Sequence, residues 1–125
     1  MTASELLKQH ILENVLNQDL LEDDEKEWVK SFDDLLELCI VDDEYNLITE
    51  FIDDYIIESN KRHCEYGRYY VEQVIKIDDK YIELSYLQDD YFDKYKEYFN
   101  RILKGINEAK FVEPYQELVT FYRNV

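Results

Sequence analysis

Glycine and proline are almost missing: Gly67, Gly105 and Pro114 are the only ones among 125 residues, and they stand apart. No phosphate-cradling loop or dinucleotide fingerprint can be built from isolated glycines, which removes the usual routes to nucleotide chemistry. None of the four serines, Ser4, Ser31, Ser59 and Ser85, lies in a glycine-flanked turn, and His10 and His63 are far apart in sequence, so no nucleophile with its base can be nominated. Cysteine is scarce as well. Cys39 lies inside an apolar helical pattern and Cys64 in a polar joint, which is no disulfide framework; reduced thiols and a cytoplasmic, bacterial-cytosol location are expected. Nowhere is there the run of about 18 to 20 uncharged apolar residues that a membrane span needs. The start, MTASELLKQHILENV, carries acid and lacks a small-residue cleavage pattern, so a soluble, unprocessed chain is expected.

Positive charge is the most informative shortage. Residues 1–60 hold 18 Asp and Glu against Lys8, Lys26 and Lys30, a net of −15, whereas residues 61–125 hold 12 acids and 11 bases, a net of −1. Nearly the whole formal charge of −16 therefore sits in the first half. Such a field repels nucleic-acid phosphates and steers a basic partner, whereas solubility alone would be served by charge spread evenly. Length and composition suit one domain over residues 1–125, with an acidic helical half (1–60) and a near-neutral, tyrosine-rich half (61–125).

Hydrophobic spacing orders the chain. Leu6, Leu7, Ile11, Val15 and Leu16, with Thr2 and Glu5 as a capping box, predict a helix over residues 3–17. The acid-rich run from Asp19 to Trp28 has no apolar period and reads as a loop or frayed turn. Ser31 and Asp34 open a short helix with Phe32, Leu35, Leu36, Cys39 and Ile40 on its apolar face. A third helix is expected from about Asp43 to Ser59, burying Leu47, Ile48, Phe51, Ile52, Tyr55 and Ile56 and aligning Asp43, Glu50, Asp54 and Glu58 as a carboxylate column on the other side. Asn60 to Cys64 reads as a polar joint, after which YYVEQVIKI (69–77) and YIELSYL (81–87) predict a hairpin turning at Asp78-Asp79. Helical spacing returns over residues 90–106 through Phe92, Tyr95, Phe99, Ile102, Leu103 and Ile106, with Gly105 as a stop signal. Pro114 excludes a helix across residues 111–115, and LVTFY (118–122) reads as a last strand. The expected class is α+β: about three N-terminal helices packed with a small antiparallel sheet and one further helix, in the order α-α-α-β-β-α-β.

The soft-ligand set of His10, Cys39, His63 and Cys64 matches no zinc spacing, and the acidic pairs Asp23-Asp24, Asp42-Asp43, Asp53-Asp54 and Asp89-Asp90 lack the alternating oxygens and central glycine of a calcium loop. No metal, no cofactor and no catalytic residue is expected, and the chain reads as a binding protein rather than an enzyme. Ten of its twelve tyrosines follow residue 60. They suit either a protein interface or an aromatic core with half-exposed rings.

The second half, in RYYVEQVIKIDDKYIELSY and FVEPYQELVTFYRNV, resembles the C-terminal β-module of small proteins from phages of Gram-positive bacteria over residues 66–88 and 111–123. The first half is similar in character to acidic inhibitors of host defence, such as anti-CRISPR proteins that block Cas9 and inhibitors of uracil-DNA glycosylase. That resemblance implies a DNA mimic that sets carboxylates where phosphates would lie in a basic channel, foremost that of a Cas9-type nuclease. It offers Asp43, Glu50, Asp53, Asp54 and Glu58, with Asp23, Asp24 and Glu25, as partner-binding residues. An immunity protein against a basic nuclease toxin, or a phage structural or regulatory protein whose acidity serves solubility, are the alternatives. The expected partner is a basic protein surface, with no direct nucleic acid and no membrane; the oligomeric state stays open.

Overall fold

A computed structural model describes residues 1–89 and 96–114. Helix α1 (Ala3–Asn17) starts where the capping box predicts: the Thr2 hydroxyl accepts from the Glu5 amide at 3.1 Å and the Glu5 carboxylate accepts from the Thr2 amide at 3.4 Å. Ala3, Leu7, Ile11 and Val15, four apart, form its buried line, while Leu16 turns outward. The acidic stretch read as a loop contains a short helix instead, α2 (Asp23–Trp28). It buries no residue and so has no apolar period to read; three acids in its first turn complement the N-terminal end of the helix dipole. Helix α3 (Phe32–Val41) is opened by Ser31, whose hydroxyl accepts from the Asp34 amide at 3.2 Å. Its buried face is Phe32, Leu35, Leu38 and Cys39, which leaves Ile40 exposed rather than inside.

The long third helix of the sequence reading divides. Helix α4 (Asn46–Asp54) buries Ile48, Phe51 and Ile52, and after the single residue Tyr55 the chain becomes strand β1 (Ile56–His63). Pairing with β2 (Arg68–Ile77) supplies β1 with main-chain hydrogen bonds that its helical spacing does not announce, so Glu58 and residues 60–63 of the expected joint at 60–64 belong to a strand. The chain returns through Cys64–Gly67, where Tyr66 and Gly67 both have positive φ. Strand β3 (Lys80–Asp89) closes the expected hairpin, with Asp78 at φ 57° as the first of two loop residues, as the primed turns require. Helix α5 (Lys96–Asn107) follows, and β4 (Lys110–Val112) pairs with β3, consistent with the absence of helix before Pro114. The start of the predicted fourth helix and the strand at 118–122 lie outside the described residues.

The architecture is α+β, with an antiparallel sheet in the order β1-β2-β3-β4. One face of the hairpin buries Val71, Gln73, Ile75, Ile77, Ile82, Leu84 and Tyr86. These join the buried residues of α1, α3, α4 and α5 in one core. Helix α5 lies along β3, and α1 touches α3, α4 and α5.

Gly105 shows how closely these layers approach. It is buried inside α5 and does not end it, for the helix continues to Asn107. A Cβ at this position would stand 2.8 Å from the main-chain oxygen of Ser85 on β3. Gly105→Ala should therefore destabilise the protein by about 1 to 3 kcal/mol through overpacking. Helix propensity alone would favour alanine by about 1 kcal/mol. A urea unfolding midpoint at or above that of the natural chain would contradict the close approach.

Candidate functional site: an acidic surface on the helical half

The sequence-predicted acids fall into three places. Asp23, Asp24 and Glu25 occupy the first turn of α2, where the Glu25 carboxylate also accepts from the Glu22 amide at 2.8 Å. Asp43 lies in the turn between α3 and α4 at φ 54°, and its carboxylate accepts from the Tyr45 hydroxyl at 3.1 Å. Glu50, Asp53 and Asp54 are exposed on α4. Glu58 is removed from this group: it faces Val74 across β1 and β2, on the side of the sheet opposite the buried face. The four-carboxylate column therefore does not exist as one helix face, because the helix ends before Glu58 and Asp43 precedes its start.

The fold adds acids that sequence reading did not select. Glu44 holds its proton above its ordinary pKa, first through burial and then through the charges of Glu25, Asp42 and Glu22. The N-terminal end of α2 thus lies within electrostatic reach of the α3–α4 turn. The Asp42-Asp43-Glu44 run was the available signal, but its neighbours across the fold were not visible without α2. On α4, the Asp53 carboxyl is likewise raised, by burial first and then by Asp54 and Glu50.

Basic side chains of this half are engaged elsewhere. Lys8 lies over the Phe32 ring at 5.6 Å, Lys26 pairs with Asp19, and the Lys30 ammonium donates to the Lys26 carbonyl at 3.0 Å. Large apolar side chains stand beside the acids: Ile40 is 52% exposed and Val41 71%, immediately before Asp42, and Trp28 is exposed at the end of α2.

Between the sheet and α5 runs a short polar line. The buried Gln73 side-chain amide donates to the Tyr86 hydroxyl at 3.1 Å, and the Tyr86 and Tyr98 hydroxyls are 3.4 Å apart. Burial raises both phenols above their ordinary pKa, with Asp53 adding to each, so they remain protonated and act as hydrogen-bonding groups rather than as bases. Burial, with a smaller push from Glu44, lifts the Cys39 thiol to about 12, which leaves it inert. Among the described residues no three His, Cys, Asp or Glu side chains gather as metal ligands, and no helix is long and apolar enough to cross a membrane.

Most of the described tyrosines of the second half are built into the sheet and α5. Tyr66 is 84% exposed, but Tyr69, Tyr70, Tyr81 and Tyr98 are half-buried and Tyr86 is buried. Lys61, Arg62 and Lys76 lie over the rings of Tyr69, Tyr70 and Tyr81. Tyr91, Tyr95, Tyr115 and Tyr122 lie outside the described residues. Compared with protein-family models, curated protein sequences and solved structures, the chain matches none.

The raised carboxyls set a pH dependence. Asp53 and Glu44 keep their protons to a higher pH in the folded than in the unfolded chain. The stability this confers is fully present below their unfolded pKa, about 4, and is lost as pH rises through the higher folded value. Asp53→Asn should consequently gain stability relative to the natural chain as pH rises through the carboxylate range and show no gain below it. Parallel urea titrations across that range check this; a difference independent of pH would contradict the assignment.

Proposed function

We propose that the chain is a binding protein whose helical half occupies a basic surface on a protein that handles nucleic acid, foremost the guide-heteroduplex channel of a Cas9-type nuclease. The observation that carries this reading is the clustering of acids: Glu50, Asp53 and Asp54 share α4, Glu22 and Glu25 lie within electrostatic reach of Glu44, and the lysines of this half are engaged elsewhere. Like-charge neighbours cost about 0.2 to 0.5 kcal/mol per pair on a helix, so the arrangement is a liability to the free protein. A Lys- and Arg-lined partner turns that liability into attraction, both in long-range steering and at contact. Exposed Ile40, Val41 and Trp28 supply apolar contact beside the charges, and tryptophan is a residue in which interface hot spots are rich. No covalent step is needed. The partner's channel is filled, and its nucleic acid is excluded by sterics and by charge.

Two neutralised chains test this reading: Glu50→Gln with Asp53→Asn and Asp54→Asn on α4, and Glu22→Gln with Asp42→Asn and Glu44→Gln around α2. Both should keep their helical content, and their stability should hold or rise as repulsion is relieved. Cleavage of a target duplex by a guide-loaded Cas9-type nuclease should be inhibited by the natural chain, and at least one neutralised chain should need about tenfold more protein for the same effect. Association should slow as salt rises, because the Debye length falls from about 10 Å at 0.1 M to about 3 Å at 1 M. Glu113→Gln, on the exposed segment after β4, should change neither property. Folded neutralised chains of undiminished potency would refute the acidic contact surface. Inhibition of a basic nuclease toxin with none of the Cas9-type enzyme would move the target to the immunity class.

A further inference from the structure

Strand β1 is the edge of the sheet, paired with β2 on one side and with no described strand on the other. Its residues from Ile57 to His63 are all exposed. Every second residue on the outer edge presents an unpaired main-chain N–H and C=O, which natural proteins usually blunt with proline, a bulge or a projecting lysine. These devices protect little of β1. It contains no proline, and its bulge lies between Ile56 and Glu58, which leaves Glu58–His63 in unbroken register with β2. The Lys61 ammonium sits 4.1 Å above the Tyr69 ring, folded back over the sheet rather than across the edge.

The charges along this edge specify an occupant. Residues 56–68 contain Lys61, Arg62 and Arg68 against Glu58 and Glu65, a net of +1 in a chain whose total is −16. A second copy approaching through the helical half is repelled, whereas one approaching along β1 meets a segment with no excess of acid. The order Glu58-Ser59-Asn60-Lys61-Arg62 is also self-complementary when reversed. Placed antiparallel about a two-fold axis at Asn60, the strand sets Glu58 opposite Arg62 of the second copy and Arg62 opposite Glu58 of the second copy. Ser59 meets Lys61, and Asn60 meets itself. Glu58, Asn60 and Arg62 face Val74, Glu72 and Tyr70 on β2, so all three lie on one side of the sheet, and this register keeps like faces together. Arg62, already 2.5 Å from Glu72, would sit between two carboxylates.

We infer that β1 pairs edge to edge with β1 of a second copy of this chain, joining the two sheets into one continuous sheet. The interface is isologous, as a closed two-fold pair requires, and it satisfies the outward main-chain groups of both strands. It is independent of the partner proposed above, because β1 carries none of the acids of that surface apart from the displaced Glu58.

Sedimentation equilibrium of the full chain should show a monomer–dimer equilibrium. Glu58→Arg and Arg62→Glu, each folded by circular dichroism, should each weaken self-association about tenfold or more, since every cross-strand ion pair becomes a like-charge pair. Mixed in equal amounts, the two variants should associate as well as the natural chain, because opposite charges then meet at both ends. Hydrogen exchange gives a second readout that needs no variant: β1 amides should gain protection as concentration rises from micromolar towards millimolar. A natural chain that stays monomeric over that range overturns the inference. So do a dimer indifferent to both substitutions and β1 protection unchanged by dilution, which would mean that the edge is covered within one chain.

Discussion

A chain with sixteen uncompensated negative charges folds only if apolar burial outweighs its own repulsion, and every layer of this protein follows from that constraint. Burying a Leu, Ile or Phe side chain contributes about 1.5 to 3 kcal/mol, against about 0.2 to 0.5 kcal/mol lost to a like-charge neighbour on a helix. Leu7, Ile11, Leu35, Ile48, Phe51, Ile75, Ile82, Phe99 and Ile102 are nearly or wholly removed from water and lie in one cluster. A few of them outweigh the repulsion of the whole acidic face. The core is continuous between the helices and the sheet, so the near-neutral half helps to hold the acidic half in shape.

Segregation of charge then has a structural meaning. The acids are displayed on α2, in the turn between α3 and α4, and on α4, whose Ile48, Phe51 and Ile52 join that shared core. The sheet spends its cations locally, on Tyr69, Tyr70 and Tyr81 and on ion pairs such as Arg62 with Glu72 and Lys110 with Glu83. One half of the molecule is electrically self-contained and the other is not. The proposed function rests on that difference.

Elements whose residues carry their own instructions were legible in the sequence: α1 and α3 through their caps and apolar lines, the β2–β3 hairpin through alternation and its aspartate turn. Those set by distant partners were not. Ile52, Tyr55 and Ile56 continue a helical stripe past Asp54, yet the chain turns to strand because β2 offers β1 a ladder, and no local pattern announces an offer made from residues 69–75. Helix α2 has no buried residue to give it a period. Gly105 read as a stop, because sequence does not show that a carbonyl of β3 would lie where its side chain would be. For the same reasons the acids at 23–25, 43, 50, 53 and 54 were found as individuals, Glu58 was misplaced with the helix that does not reach it, and Glu22, Asp42 and Glu44 were missed.

Tyr55 is the whole connection between α4 and β1. Its ring stacks on Phe51 at 4.5 Å, and its hydroxyl donates to the Asn14 side chain of α1 at 2.9 Å. A junction of one residue, held by its ring and its hydroxyl, leaves little slack between α4 and β1. The acidic helix and the outer strand are thus held at one angle by a pin on α1, and each presents its surface in an orientation preset by the other.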